Sequence, residues 1–331
     1  MTRGLSLSIA VGDYDRNRPL LDGRVAIDGV DPVVMRLNPE EMFFRAMRHE
    51  EFDICELSLS SHTLRTARGD APYVGVPAFV SRAFRHTGII VRNDSGITHP
   101  SQLKGRRVGI PEWQLTANVW IRAILEDEYG VAPQDISWVR GGLEQAGRVE
   151  KVRIALPAGV EIEDIGPEDT LRDMLADGRI DAFMGPRAPT SFTPSNPGLR
   201  WLFADPTAEA MAYFERRRIF PIMHVIGVRR SLAEAHPWLP MAVLKAFSRS
   251  KAIALDHLAD TSASKITLPF VEEQLRRAVG LMGPDFWPHG LGPNRHVLEY
   301  FTEAHHKQGL SDRKVSVEEL FHPATLESYV I

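Results

Sequence analysis

Short apolar runs alternate with amphipathic helical stretches over most of this chain. That alternation restricts it to an α/β architecture with largely parallel sheets. Leu5–Val11, Pro32–Leu37, Phe52–Leu57, Val108–Ile110 and Ile180–Met184 read as strands. Asn38-Pro39-Glu40-Glu41 opens a helix: Asn caps, Pro takes the first turn, and a Glu stands three residues after the cap. Met42, Phe43, Ala46 and Met47 then share one face. Glu168-Asp169-Thr170 opens another helix, with Leu171, Met174 and Leu175 inward and Gly178 placed to close it.

The passages around Asp53 and Asp181 share a layout. In both a helix ends, an apolar residue and an Asp follow, and a buried strand begins. Two lobes of similar design would produce this, and so would chance likeness between α/β units. At 331 residues the chain has room for two domains. Arg85–Val91 and Phe220–Val228 are extended runs that can cross between lobes. The stretch between them holds its own strand and a helix over Gln114–Tyr129. Lobe one is therefore expected to comprise residues 1–87 plus 225–331, ending in helices over Trp238–Leu258, Phe270–Leu281 and Val297–His306. Lobe two is expected over 88–224. Trp138–Asp164 is β-rich and punctuated by glycine, without a clear place in either pattern.

Composition excludes several function classes. There are 39 Lys and Arg against 43 Asp and Glu, a net charge of −4. That balance argues against a nucleic-acid binder that works by neutralising phosphates. The single cysteine, Cys55, rules out an internal disulfide and a Cys-based zinc site. No metal motif, G-x-G-x-x-G or Walker A sequence is present. No apolar run approaches the roughly 18 residues of a membrane span. The first residues, MTRGLSLSIAV, read as a strand and not a signal peptide. The expectation is a cytoplasmic protein without membrane partners. Oligomeric state stays open, a homo-oligomer included.

GDYDRNRPL (12–20), EEMFFRAMRHEEFDICELSLSS (40–61), RHTGIIVR (85–92), PEWQLTA (111–117), GGLEQAGRVEK (141–151), GPRAP (185–189) and FPIMHV (220–225) resemble the 4,5-dihydroxyphthalate decarboxylases. The resemblance runs nearly end to end. It implies the fold of the type II periplasmic solute-binding proteins: two α/β lobes, two crossing strands and a ligand cleft between them. It also implies loss of one carboxylate from a dihydroxy-dicarboxylate ring, with no organic cofactor. The alternative is a solute-binding protein that holds a small anionic aromatic without chemistry.

Such a reaction needs an acid near the carbon that loses CO2, a base near the para hydroxyl, and cations for the carboxylate that stays. Ligands meet α/β sheets at the carboxyl ends of strands. The loops there are Gly12–Arg18, Glu56–Ser61, Pro111–Thr116 and Gly185–Pro189. His86 and His224, on the crossing segments, are the candidate proton carriers. Either could instead be a core histidine bonded to backbone. Glu56 and Asp13 are the candidate carboxylates. Glu56 could equally form a buried salt bridge, and Asp13 could serve a turn. Arg16, Arg85 and Arg187 are candidate cations for the substrate. Ser58, Ser60, Gln114 and Thr116 stand where helices begin, and could bind an anion or simply cap.

Overall fold

A computed structural model describes residues 4–148, 154–195 and 198–327. The elements run β1 (Leu5–Val11), α1 (Arg18–Leu21), β2 (Val30–Arg36), α2 (Pro39–His49), β3 (Ile54–Ser58), α3 (Leu59–Arg68) and β4 (Tyr73–Arg82). Next come β5 (Ile89–Arg92), β6 (Arg107–Ile110), α4 (Thr116–Tyr129), β7 (Ser137–Arg140), β8 (Ile162–Asp164), α5 (Leu171–Ala176), β9 (Ala182–Met184), β10 (Leu199–Trp201) and α6 (Pro206–Arg217). The chain finishes with β11 (Ile222–Arg229), α7 (Arg230–Ala235), α8 (Leu239–Ala259), α9 (Val271–Met282) and α10 (Arg295–Lys307).

The chain divides into two compact units. One comprises Met1–Arg82, Ile222–Leu298 and Ser316–Ile331; the other comprises Ala83–Pro221 and Glu299–Val315. The boundaries lie a few residues from those expected, with one difference of substance. Residues 299–315, read as part of the first lobe, complete the second unit. Trp120 stacks on Tyr300 at 5.6 Å and packs on Phe301, and buried Arg122 donates to the Gln308 side chain at 2.8 Å. His305 is also fully buried there.

The first unit holds a five-stranded sheet of order β2-β1-β3-β11-β4. β1 pairs parallel with β2 and β3, while β11 runs antiparallel between β3 and β4. The second holds six strands in the order β10-β5-β9-β6-β7-β8. Here β6, β7, β8 and β9 are mutually parallel neighbours, and β5 and β10 are antiparallel. Both sheets are thus mixed, where largely parallel ones were expected.

Local chemistry explains the element ends. Asn38 caps α2 by accepting from the Glu40 amide, and the helix closes on a left-handed Glu50. Thr170 caps α5 through the Asp173 amide. The expected stretch 138–164 contributes β7 and β8, the outer edge of the second sheet; residues 149–153 within it lie outside the described residues. The expected strand at Arg85–Val91 begins only at Ile89, because His86–Gly88 forms a single 3-10 turn.

Asp53 and Asp181 do the same job in the two units. Asp53, just before β3, accepts from the amide and hydroxyl of Ser8 at 2.8 Å each. Asp181, just before β9, accepts from the amide of Arg107 at 2.9 Å. In each case the carboxylate ties its strand to the parallel neighbour.

Candidate active site

The first sheet concentrates its polar groups at one end. β1 and β3 are parallel, so their carboxyl ends lie side by side, and antiparallel β11 begins there. The register sets His224 opposite Ser58 and Ile226 opposite Glu56. Paired residues share a face and alternate residues repeat it, so Glu56, Ser58 and His224 project from the same side.

Every residue of β3 is buried, and Glu56 has no solvent-exposed surface. A carboxylate there must be satisfied by donors. Three converge on it. The Gly12 amide donates to Oε2 at 3.0 Å, the Tyr14 hydroxyl to Oε1 at 3.0 Å, and Nδ1 of His224 lies 2.5 Å from Oε1. Burial, then the nearby Glu56 carboxylate, raises the Tyr14 phenol far above its ordinary range, so it stays protonated and donates. A carboxylate at Glu56 accepts from Nδ1 of His224, which turns Nε2 away from Glu56. The imidazole is 17% exposed, and the edge of Phe43 packs on it at 4.8 Å between ring centres.

Arg16 is fixed nearby. Its Nε donates to the Val80 carbonyl at 2.6 Å and Nη1 to Asp15 at 3.1 Å. The guanidinium lies 4.5 Å from the Tyr14 ring centre and 4.3 Å from that of Trp287. Burial lowers its pKa from the ordinary value, opposed by Asp15 and Glu56.

Trp287 arrives from far along the chain, and the reason is a defect in β4. The β11–β4 register jumps from Val76 to Ser81 while β11 advances from Ile226 to His224. Backbone groups in the irregular stretch turn to residues 287–290. Trp287 Nε1 donates to the Phe79 carbonyl at 2.7 Å, the Phe79 amide to His289 Nδ1 at 3.1 Å, and the Gly290 amide to the Pro77 carbonyl at 2.8 Å. Arg82 reinforces this loop by donating to the Pro288 carbonyl at 2.8 Å and to the Asn294 side chain.

The remaining expected site residues fall into different settings. Asp13 is exposed and pairs with Arg18 at 2.9 Å; no hydrogen bond among the described residues joins it to Glu56 or His224. Its place after the first strand suggested a catalytic carboxylate, but its side chain pairs within the turn. Ser58 caps α3 by accepting from the Ser61 amide at 3.4 Å, and Ser60 is fully buried in the same turn.

The others lie in the second unit. His86 is 1% exposed, with Phe203 and Tyr213 edge-on at 5.2 and 5.6 Å. Burial lowers its pKa to about 4. Neither of its ring nitrogens has a hydrogen-bond partner among the described residues, so it is not the backbone-bonded core histidine that was the alternative. Burial likewise lowers the half-buried Arg85 to about 10. Arg187 is exposed on its loop. Gln114 and Thr116 are buried at the start of α4, where Gln114 donates to Glu112 at 3.3 Å.

Glu112, Tyr14, Arg148 and Trp287 were not singled out from sequence. Glu112 follows β6 as a second fully buried carboxylate, held by Arg148 at 2.6 and 2.9 Å. Its signal was its place at the carboxyl end of a strand, two residues past β6, as Glu56 stands near the carboxyl end of β3. Tyr14 was hidden among the charges of a turn, and nothing local marks Trp287. Among the described residues no three His, Cys, Asp or Glu side chains cluster as a metal site, and no described helix is long and apolar enough to cross a membrane.

Solved structures place the fold. The chain aligns over 97% of its length, and 99% of theirs, with two sulfonate-binding proteins at 15% identity each. These are the alkanesulfonate-binding SsuA of Xanthomonas axonopodis pv. citri (TM-score 0.55) and the periplasmic aliphatic sulphonate binding protein SsuA of Escherichia coli (TM-score 0.53). Residues 44–185 match the NMT1/THI5-like family model. The chain therefore has the periplasmic-binding-protein fold, here with a buried carboxylate–imidazole pair at a strand end. It is 57% identical over 327 residues to a 4,5-dihydroxyphthalate decarboxylase of Comamonas testosteroni, spanning 99% of both chains. A second such decarboxylase, of Pseudomonas putida, is 55% identical over 63% of this chain and 81% of its own length. The chain belongs to the 4,5-dihydroxyphthalate decarboxylase family.

Proposed function

We propose that this chain is a carboxy-lyase that converts 4,5-dihydroxyphthalate to 3,4-dihydroxybenzoate and CO2, with His224 as the proton carrier. The observation that carries the activity is the 57% identity, over nearly the full length, to a decarboxylase of that name. The assignment of roles rests on the site geometry.

Each carboxylate of this substrate is para to a phenol. Electron density from the phenol oxygen makes the carbon bearing the leaving carboxylate basic. The imidazolium of His224 gives its Nε2 proton to that carbon, forming a cationic arenium intermediate in which the para hydroxyl keeps its proton and its oxygen shares the charge. The C–C bond to the carboxylate then breaks, CO2 leaves, and its electron pair restores the aromatic ring. Glu56 holds Nδ1 protonated and steadies the positive charge of the imidazolium. Tyr14 and the Gly12 amide hold Glu56 in place by hydrogen bonds. Arg16, pinned through Nε and Nη1, has Nη2 to offer the spectator carboxylate. Phe43 supplies apolar surface beside the imidazole, and poor solvation there favours loss of a charged carboxylate as neutral CO2.

The test is incubation of purified protein with 4,5-dihydroxyphthalate in D2O. The expected result is CO2 release, with one deuterium on the ring carbon that lost the carboxylate. Tight binding without turnover would instead identify a solute-binding protein.

A further inference from the structure

The second half of α8, the connection after it and α9 form a helical hairpin in the first unit. Not one residue from Lys251 to Gly283 is buried. The first half of α8 behaves differently, burying Leu239, Val243, Ala246 and Phe247. The hairpin is nonetheless rich in apolar side chains. Leu268 is 60% exposed, Phe270 70%, Ile266 38% and Val279 37%. Helices owe most of their stability in proteins to burial of an apolar face. Exposed apolar side chains grouped on one projecting element mark a surface that another molecule covers.

We infer that the α8–α9 hairpin is the self-association surface of this protein, and that its occupant is the same hairpin of a second copy. Charge order along α9 selects that occupant. Glu272 and Glu273 form one turn, and Arg276 and Arg277 form the next. Antiparallel packing of α9 on its copy about a two-fold axis sets the acidic turn of each against the basic turn of the other. This is the self-complementarity that a closed, isologous contact requires. Within one chain Glu272 and Arg276 pair at 2.5 Å on an exposed surface, so pairing across the axis exchanges the two exposed pairs of the two copies for two partly covered ones. Leu268 and Phe270, leading into α9, supply apolar area beside them.

The test uses the full chain and sedimentation equilibrium. Wild type is expected to self-associate, and Leu268→Glu with Phe270→Glu to weaken association at least tenfold. Glu272→Arg with Glu273→Arg makes α9 uniformly basic, and Arg276→Glu with Arg277→Glu makes it uniformly acidic. Each is expected to be dissociated alone, and an equimolar mixture of the two to reassociate. All these positions are exposed or nearly so, so unchanged circular dichroism checks that the fold persists. A monomeric wild type, or charge variants that keep the wild-type mass, would overturn the inference. Mixed variants that stay apart while wild type associates would place the contact elsewhere.

Discussion

Nδ1 of His224 lies 2.5 Å from Oε1 of Glu56, although 168 positions separate the two residues in sequence. Antiparallel pairing of β11 with β3 makes them diagonal neighbours on one face. The pair has a direct kinetic consequence. His224→Ala should lower kcat by about 10²–10⁴, the usual contribution of a positioned acid–base group. Glu56→Gln should lower kcat, because the amide no longer steadies the imidazolium. Steady-state kinetics across pH reads both; an unchanged kcat for His224→Ala removes it from the mechanism.

Tyr14 touches the carboxylate and not the imidazole. Tyr14→Phe deletes a hydrogen bond to a buried anion, worth about 1.5–3 kcal/mol. The denaturant midpoint should fall accordingly, with kcat reduced less than in His224→Ala. Gly12→Ala should act in the same direction by another route. A Cβ at Gly12 would stand 2.4 Å from the Tyr14 ring and push the phenol off Glu56.

Arg16 and Trp287 make a separate prediction, about binding. Arg16→Lys keeps the charge but loses the flat guanidinium that two rings sandwich. KM should rise about tenfold or more. Trp287→Leu should raise KM less, since cation–π contacts are worth about 0.5–2 kcal/mol. If KM is unchanged in both variants, Arg16 does not bind the substrate.

Buried histidines set the response to acid. His62 is buried, donates through Nε2 to the Leu320 carbonyl at 2.8 Å, and has its pKa lowered by burial to about 4. Between its unfolded value of about 6.5 and about 4, the unfolded chain binds the proton and the folded chain does not. The contribution to stability is therefore complete above about pH 6.5 and lost as pH falls toward 4. It amounts to about 3 kcal/mol. His62→Gln, which keeps a donor for Leu320, should flatten the decline of the urea midpoint between pH 6.5 and 4.5.

Some of this was legible in the sequence because its signals are local. Leu5–Val11 was read to the residue, and so was the Asn38 cap, since strand periodicity and capping depend only on neighbours. β4 was not read as a strand. Gly75 and Pro77 interrupt its pattern, and both have tertiary reasons. A Cβ at Gly75 would meet the Leu320 carbonyl at 2.3 Å, and Pro77 sits where the ladder slips. Glu56 and His224 stood out as polar residues in apolar strands. The sandwich on Arg16 did not, because it depends on the 287–290 loop repairing that slip. His86 stood out for its place on a crossing segment, while the rings of Phe203 and Tyr213 that surround it come from far along the chain.

The closure of the second unit by residues 299–315 bears on how the protein is made. Ribosomes deliver chains from the amino end, so Ala83–Pro221 emerges long before Tyr300, Phe301 and Gln308 exist to cover Trp120 and engage Arg122. During synthesis that half must wait with its tryptophan uncovered. A premature stop even thirty-odd codons from the end would forfeit the interior of a unit whose own strands were all translated.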